Sequence, residues 1–263
     1  MGKVLWRPNN IYNTHMMKFM DRVNNLYGLQ IQSYEDLHNW SIKNIPNFWK
    51  EIWNQSKIIH SKPYTNIIDN LNKMPGAKWF PNSRLNFAEN LLRYRNDSVA
   101  IYAQAENFPL RSITYNELFN EVEALAHSLK SLGLKKGDRV AGFIPNIPEA
   151  VIAMLATSAI GAIWSSASPD FGVKGVLDRF KQIEPKIIFA SDGYFYNGKE
   201  FDSLEKLNSI LIELPSVKKT IVVNQINNQK KNKFPFNFIY YNDFLSNTPN
   251  KLHFEQLPFD HPL

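Results

Sequence analysis

The sequence predicts an α/β protein with a mostly parallel sheet flanked by helices, preceded by a tryptophan-rich helical extension. From about residue 99 onward, short apolar strands alternate with amphipathic helices, which is typical of a parallel sheet covered on both faces. Five of the six tryptophans lie before residue 92, where helical periodicity dominates. The 263 residues are 44% hydrophobic and 21% charged, as in a globular protein that buries a core.

Helical signals dominate the first part of the chain. Apolar residues recur at helical spacing over residues 16–27, and Ser33 is placed to cap a second helix. Pro46 suits the first turn of a third helix, whose apolar stripe includes Trp49. Packing against a core explains such an aromatic stripe better than a ligand site does. A short helix is predicted over residues 86–92.

Strands and helices then alternate along the chain. Strands are expected at residues 99–102, 111–113, 139–143, 162–165, 186–190, 220–223 and 237–240. Helices are expected at residues 115–132, 148–160, 173–183 and 201–211, with Thr114 as a cap for the first and Gly133 at its end. The tail, residues 257–263, has two prolines and no periodicity, which predicts a loop leading into a further element.

Composition excludes several classes of protein. The absence of cysteine excludes a disulfide scaffold, a thiolate zinc site and a cysteine nucleophile, and fits a reducing cytoplasm. The longest apolar stretch, residues 150–164, is shorter than the roughly 20 residues of a membrane helix. The N-terminus lacks the apolar core of a secretory signal. We therefore expect a cytoplasmic protein without a membrane span.

Charge and histidine spacing argue against nucleic acid and metal. The formal charge is +6, and the densest basic run, residues 229–233, has the composition of a solvated loop. The six histidines stand far apart, without the spacing of metal ligands. We expect no nucleic-acid partner and no metal bound by these residues, although the positive charge suits anionic ligands.

Residues 193–200, with the sequence GYFYNGKE, match the phosphate-loop pattern G-x-x-x-x-G-K between a strand and a helix. Glu200, however, stands where Ser or Thr would bind magnesium, and its carboxylate would repel phosphates. Three aromatic residues also leave little room for backbone amides to surround a phosphate. The pattern therefore does not predict a true phosphate loop.

Residues 164–172, with the sequence WSSASPDFG, place small residues directly after a buried strand. Ligands gather at the carboxyl ends of parallel strands, so such a loop allows close approach of backbone to a ligand. The alternative is a tight strand-to-helix turn in which Ser168 or Asp170 caps the helix. The residues themselves do not decide between the two.

Several motifs resemble a known group of enzymes. Residues 113–118 (ITYNEL), 134–140 (LKKGDRV) and 145–150 (PNIPEA) resemble the opening of adenylate-forming enzymes. Narrower matches, which cover most of the chain, resemble acetoacetyl-CoA synthetases. They are residues 79–92 (WFPNSRLNFAENLL), 168–172 (SPDFG), 175–180 (GVLDRF), 183–186 (IEPK) and 192–199 (DGYFYNGK). Residues 34–40 (YEDLHNW) resemble the N-terminal extension of acetyl-CoA-synthetase relatives.

The resemblance implies an acid–CoA ligase that uses ATP, Mg²⁺ and CoA. In such enzymes a carboxylate, here acetoacetate, attacks the α-phosphorus of MgATP, and the CoA thiol then attacks the acyl-adenylate and releases AMP. The first step needs a Ser/Thr/Gly-rich loop ending in Pro-Lys, which family members have shortly after a stretch like residues 260–263. We therefore expect the missing remainder of the polypeptide to supply the catalytic residues, and these 263 residues to be inactive alone.

The resemblance also implies which residues meet CoA. In acetyl-CoA-synthetase relatives, the loop matching Ser168, Pro169 and Asp170 lies by the CoA nucleotide. Basic residues at the positions of Tyr196 and Lys199 meet its phosphates. Tyr196 departs from that basic pattern, so only Lys199 keeps the charge.

The predicted domains are an N-terminal helical extension of acetyl-CoA-synthetase type, residues 1–95, and the first part of an AMP-binding domain, residues 96–263. Two other functions stay open besides a ligase. The chain could be a non-catalytic module that binds CoA or a nucleotide, or a purely structural remnant.

Overall fold

The computed structural model describes residues 4–226, 237–246 and 251–263. The chain forms two compact units: residues up to 59 together with 63–83, and residues 60–62 together with 84 onward. The predicted domain boundary at residue 95 stays a prediction. The basic run at residues 229–233 lies outside the described residues.

Three helices form the first unit: α1 (His15–Tyr27), α2 (Tyr34–Lys43) and α3 (Ile45–Gln55). Ser33 caps α2 as predicted: its hydroxyl accepts the backbone N–H of Asp36, whose carboxylate accepts the N–H of Ser33. This reciprocal pair satisfies two amides that the helix itself leaves without partners. The helical character predicted for this part of the chain is confirmed.

Aromatic packing explains the stripe on α3. Trp53 is buried and stacks on Phe80 with ring centroids 4.8 Å apart, while Trp49 meets Trp79 edge-on at 6.0 Å. The same helix buries the carboxylate of Glu51, which accepts a 2.8 Å hydrogen bond from Nε of Arg22. The stripe is therefore a packing surface, as interpreted from the sequence.

The second unit contains the remaining elements. Its helices are α4 (Phe87–Leu91), α5 (Tyr115–Ser131), α6 (Pro148–Ala159), α7 (Val173–Ile183), α8 (Leu204–Ile212) and α9 (Tyr241–Phe244). Its strands are β1 (Arg84–Leu85), β2 (Val99–Ala103), β3 (Arg111–Thr114), β4 (Arg139–Phe143), β5 (Ile163–Ala167), β6 (Ile187–Ser191), β7 (Gly193–Tyr196), β8 (Lys199–Asp202), β9 (Lys219–Val223), β10 (Phe238–Tyr240) and β11 (Leu257–Pro258).

Five parallel strands form the central sheet in the order β10-β9-β6-β4-β5. Val140 packs among residues of α5 and α6, whereas its neighbour Ala141 packs among residues of α7 and α8. Because successive side chains of a strand point to opposite faces, helices cover both faces of the sheet. The predicted α/β class is confirmed. Strands β2 and β3 stand apart and pair with each other in antiparallel fashion.

The sequence prediction was wrong in residues 193–202 and in the tail. Residues 193–202 form a β-hairpin, in which Asn197 and Gly198 have φ of 50° and 73°, so α8 begins at Leu204 and not at residue 201. In the tail, strand β11 pairs with β1, where the sequence predicted only a loop. A two-residue strand has no periodicity, so the sequence offers no signal for it.

None of the helices in the described ranges combines the length and the apolarity needed to cross a membrane.

The buried side chain of Asn86 joins three distant parts of the second unit. Its oxygen caps α4 by accepting the N–H of Glu89 at 3.2 Å. Its amide nitrogen donates to the carbonyls of Ser158 (2.9 Å), Ala159 (3.2 Å) and Glu255 (2.9 Å). Because Asn86 is only 1% exposed, water cannot replace these bonds.

We expect Asn86→Ala to lower the free energy of unfolding of the second unit by about 2 to 3 kcal/mol, since it removes a helix cap and leaves buried carbonyls without donors. Urea unfolding followed by circular dichroism measures this change. The matched control is Asn120→Ala at an exposed position of α5, which should change stability by less than about 0.5 kcal/mol. Equal effects of the two substitutions would contradict the role of Asn86.

Candidate functional site

The loop after β5 is the first predicted site. The hydroxyl of Ser168 donates to the carboxylate of Asp170 at 3.0 Å and accepts the backbone N–H of Asp170 at 3.3 Å. The N-cap of α7 is Gly172, so the interpretation of Ser168 or Asp170 as the helix cap was wrong. Their role as ligand-binding residues stays a prediction.

Tyr196 and Lys199 lie at the tip of the β7–β8 hairpin, where they are directly opposite each other. Both side chains are exposed. Lys199 takes part in none of the ion pairs that occur within the described part of the chain. Its ammonium group is therefore available to an anion arriving from solvent.

Two contacts bring the Ser168 loop to the foot of this hairpin and the start of α8. Burial, together with a hydrogen bond to the Asp170 carboxylate, raises the pKa of the Tyr194 hydroxyl to about 12. The ammonium group of Lys206 donates to the carbonyl of Pro169 at 3.1 Å. The structure thus brings Pro169 and Asp170 to the foot of the hairpin whose tip holds Tyr196 and Lys199.

The hairpin tip also binds a carboxylate of the chain itself. The backbone N–H of Asn197 donates to Oε1 of Glu106 at 2.9 Å, and the N–H of Gly198 donates to Oε2 at 2.8 Å. Glu106 belongs to the connection between β2 and β3. Phe108 in the same connection packs edge-on against Phe195 of the hairpin, with centroids 5.9 Å apart. No local sequence pattern predicts this pairing, because its partners are 91 and 92 residues apart.

A cavity of about 770 Å³ opens at the carboxyl ends of β4, β9 and β10. Its lining combines aromatic and aliphatic side chains with amides and three charged groups. The described residues around it are 103–105, 108–111, 121, 146–149, 223–225, 240–242 and 245. None of the five predicted CoA-binding residues is among them. The PNIPE stretch after β4 supplies part of the lining, and its position after a buried strand was the available signal.

The polar wall of this cavity contains two linked pairs. Nη1 of Arg111 lies 2.6 Å from Oε1 of Glu149, and the hydroxyl of Tyr241 donates to Oε1 of Glu121 at 2.9 Å. Burial raises the pKa of Glu121, and the nearby Glu149 carboxylate raises it further, which outweighs the hydrogen bond from Tyr241. Burial beside Glu121 likewise raises the pKa of Tyr241 well above its ordinary value.

Within the described residues, no three histidine, aspartate or glutamate side chains gather as metal ligands would. We therefore assign none of the described residues to Mg²⁺.

Comparison with known proteins defines the class to which this fold and site belong. Residues 87–253 match the family of AMP-binding enzymes, and residues 34–91 match the acetyl-coenzyme A synthetase N-terminus. The first match covers more than half of the chain, so the chain belongs to the AMP-binding enzyme family.

Within that family, the similarity is to acetoacetyl-CoA synthetases. The chain is 44% identical to the acetoacetyl-CoA synthetase of Macaca fascicularis over 99% of its length, and 43% identical to that of Gallus gallus over 100%. The solved acetoacetyl-CoA synthetase from Streptomyces lividans superposes with a TM-score of 0.89 at 36% identity, over 99% of this chain. The chain spans about 40% of the length of each of these relatives.

We expect Glu121→Gln to change how stability depends on pH. Because burial raises the pKa of Glu121 in the folded protein, this group stabilises the fold below its unfolded pKa of about 4.3 and loses that contribution as the pH rises above it, a loss that the glutamine variant lacks. The stability difference, variant minus parent, should therefore increase above that pKa in urea unfolding.

A contrasting variant on the same helix is Glu117→Gln. Hydrogen bonds from the backbone and side chain of Thr114 lower the pKa of Glu117, so its stabilising effect is present above the unfolded pKa and is lost in acid. The free energy of unfolding of this variant minus that of the parent should become more negative as the pH rises from about 3 to about 5. The same sign for both variants would contradict the assigned environments.

Proposed function

We propose that this chain is part of an acid–CoA ligase that converts acetoacetate, ATP and CoA into acetoacetyl-CoA, AMP and pyrophosphate through an acyl-adenylate. The single observation that supports this best is the 44% identity to an acetoacetyl-CoA synthetase over 99% of the chain. The five-stranded parallel sheet and the similarity to a solved synthetase agree with it. ATP and Mg²⁺ would serve the first step and CoA the second.

Within this function, we propose that the Ser168 loop and the hairpin tip meet CoA. CoA carries several phosphate negative charges, and Lys199 offers an exposed ammonium group that other side chains do not neutralise in the described ion pairs. Tyr196 beside it contributes a hydroxyl and no charge, so most of the electrostatic attraction depends on Lys199. The loop at Ser168, Pro169 and Asp170 offers backbone at the carboxyl end of β5, where ligands of parallel sheets gather.

We also propose that these 263 residues do not form the adenylate by themselves. Adenylation needs a set of preorganised donors around the phosphates, because charge develops there in the transition state. The sequence contains no Ser/Thr/Gly-rich loop ending in Pro-Lys, which resembling enzymes use for this purpose. The cytoplasmic location expected from the sequence stays a prediction.

Lys199→Glu should weaken CoA binding by about tenfold or more, because an attraction to phosphate becomes a repulsion. Isothermal titration calorimetry of the chain with CoA measures this. The matched control is Lys50→Glu, a charge reversal at another exposed lysine, on α3, which should leave the affinity within about twofold. Equal affinity of the Lys199 variant and the parent would refute the assignment.

The chain should show no exchange of labelled pyrophosphate into ATP when acetoacetate is supplied, even where it binds CoA. Exchange above background would overturn the requirement for further residues. Calorimetry separates the two alternative functions: CoA or ATP binding without exchange fits a binding module, and no binding of either fits a structural remnant.

A further inference from the structure

The turn of the β7–β8 hairpin is an anion receptor. Asn197 and Gly198 both have positive φ, and their successive N–H groups point to the same side, where each reaches one oxygen of Glu106. Successive backbone N–H groups arranged in this way form a concave site that attracts negative charge. This is the sequence GYFYNGKE that matched the phosphate-loop pattern. It forms a hairpin turn, yet its glycine amide does bind an anionic group.

The resident anion is exposed to solvent and therefore exchangeable. Glu106, Asn197 and Gly198 all lie on the surface. Water competes for hydrogen bonds at such positions, so each bond contributes modestly to stability although the carboxylate is charged. A second anion of higher charge would meet the same two donors without having to open a buried core.

Lys199 follows the two amide donors directly in sequence. A phosphate group at the turn would receive both amide hydrogens and would also attract the Lys199 ammonium group. Phosphate also has more acceptor oxygens and more negative charge than a carboxylate at neutral pH. To bind there, it must displace the carboxylate of Glu106.

Displacement of that carboxylate would leave the β2–β3 connection attached. Phe108, two residues beyond Glu106, packs edge-on against Phe195, and this contact does not involve the carboxylate. Rotation of the Glu106 side chain therefore frees the amides without separating the two segments. The geometry therefore fits Glu106 as a competitor for the turn amides better than as a residue that the hairpin needs for its stability.

We propose that the Asn197–Gly198 turn is a phosphate-binding site and that Glu106 is its built-in competitor, which lowers the affinity of the site for phosphate groups. This deepens the proposed function, because the phosphate concerned would be one of those of CoA. The competition itself does not rest on that function, since the Glu106 carboxylate, the two turn amides and Lys199 all belong to the described chain.

Backbone nuclear magnetic resonance tests the competition directly. The ¹⁵N-labelled chain is titrated with inorganic phosphate at constant ionic strength, and the amide shifts of Asn197 and Gly198 are followed. Glu106→Gln should bind phosphate about tenfold more tightly than the parent, because an intramolecular anion at high effective concentration has been removed. Adding Lys199→Gln to that variant should reverse most of the gain.

Two further variants make the result specific. Glu200→Gln removes a neighbouring exposed carboxylate that does not bind the turn amides, and should change phosphate affinity by less than about twofold. Glu106→Asp keeps the charge but has a side chain one methylene shorter, so it should give a smaller gain in phosphate affinity than Glu106→Gln. It also tests the competition if the glutamine variant does not fold. Equal phosphate affinity in the parent and both Glu106 variants would overturn the proposal, as would equal gains from Glu106→Gln and Glu200→Gln.

Calorimetry with CoA separates this proposal from the proposed function. Tighter binding of both inorganic phosphate and CoA by Glu106→Gln would support both. Tighter binding of phosphate with unchanged CoA affinity would support the anion site and count against CoA as its ligand. Unchanged phosphate affinity would refute the anion site whatever CoA does.

Discussion

The buried amide of Asn86 is the interaction on which much of the second unit depends. It fixes the end of α6, and α6 leads through Gly161 into β5 and then into the loop at Ser168. At the same junction, an added Cβ on Gly161 would come within 2.9 Å of the Glu255 side chain. The carbonyl oxygen of Gly161 lies 3.0 Å from Nε2 of His261. This packing at the start of β5 thus contributes to the position of the loop at the strand's carboxyl end.

The β2–β3 connection contacts both the cavity and the β7–β8 hairpin, which are formed by separate segments of the sequence. Phe108 lines the cavity and also packs against Phe195 of the hairpin, while Glu106 binds the hairpin turn. The same connection therefore lines the cavity that holds the Arg111–Glu149 pair and contacts the hairpin that carries Lys199. The five residues predicted to bind CoA lie outside the cavity.

Local sequence signals were sufficient to predict the bounds of elements whose structure depends mainly on their own residues. The strand Arg139–Phe143 and the helix Val173–Ile183 have the bounds predicted from periodicity and turn residues alone. The hairpin at residues 193–202 differs from the prediction, although a local signal for it exists in the Asn197–Gly198 dipeptide, which overlaps the phosphate-loop pattern. That dipeptide is the strongest short-range signal for a two-residue hairpin turn.

The sequence by itself determined the α/β class, most strand and helix positions, the caps Ser33 and Thr114, and the resemblance to CoA ligases, because these depend on neighbours a few residues apart. Only the tertiary structure decided which distant groups meet. The Glu106 carboxylate reaches amides 91 and 92 residues away, and Asn86 reaches a carbonyl 169 residues away. Such contacts depend on the strand order and on how each connection packs, and no local pattern in a single chain encodes them.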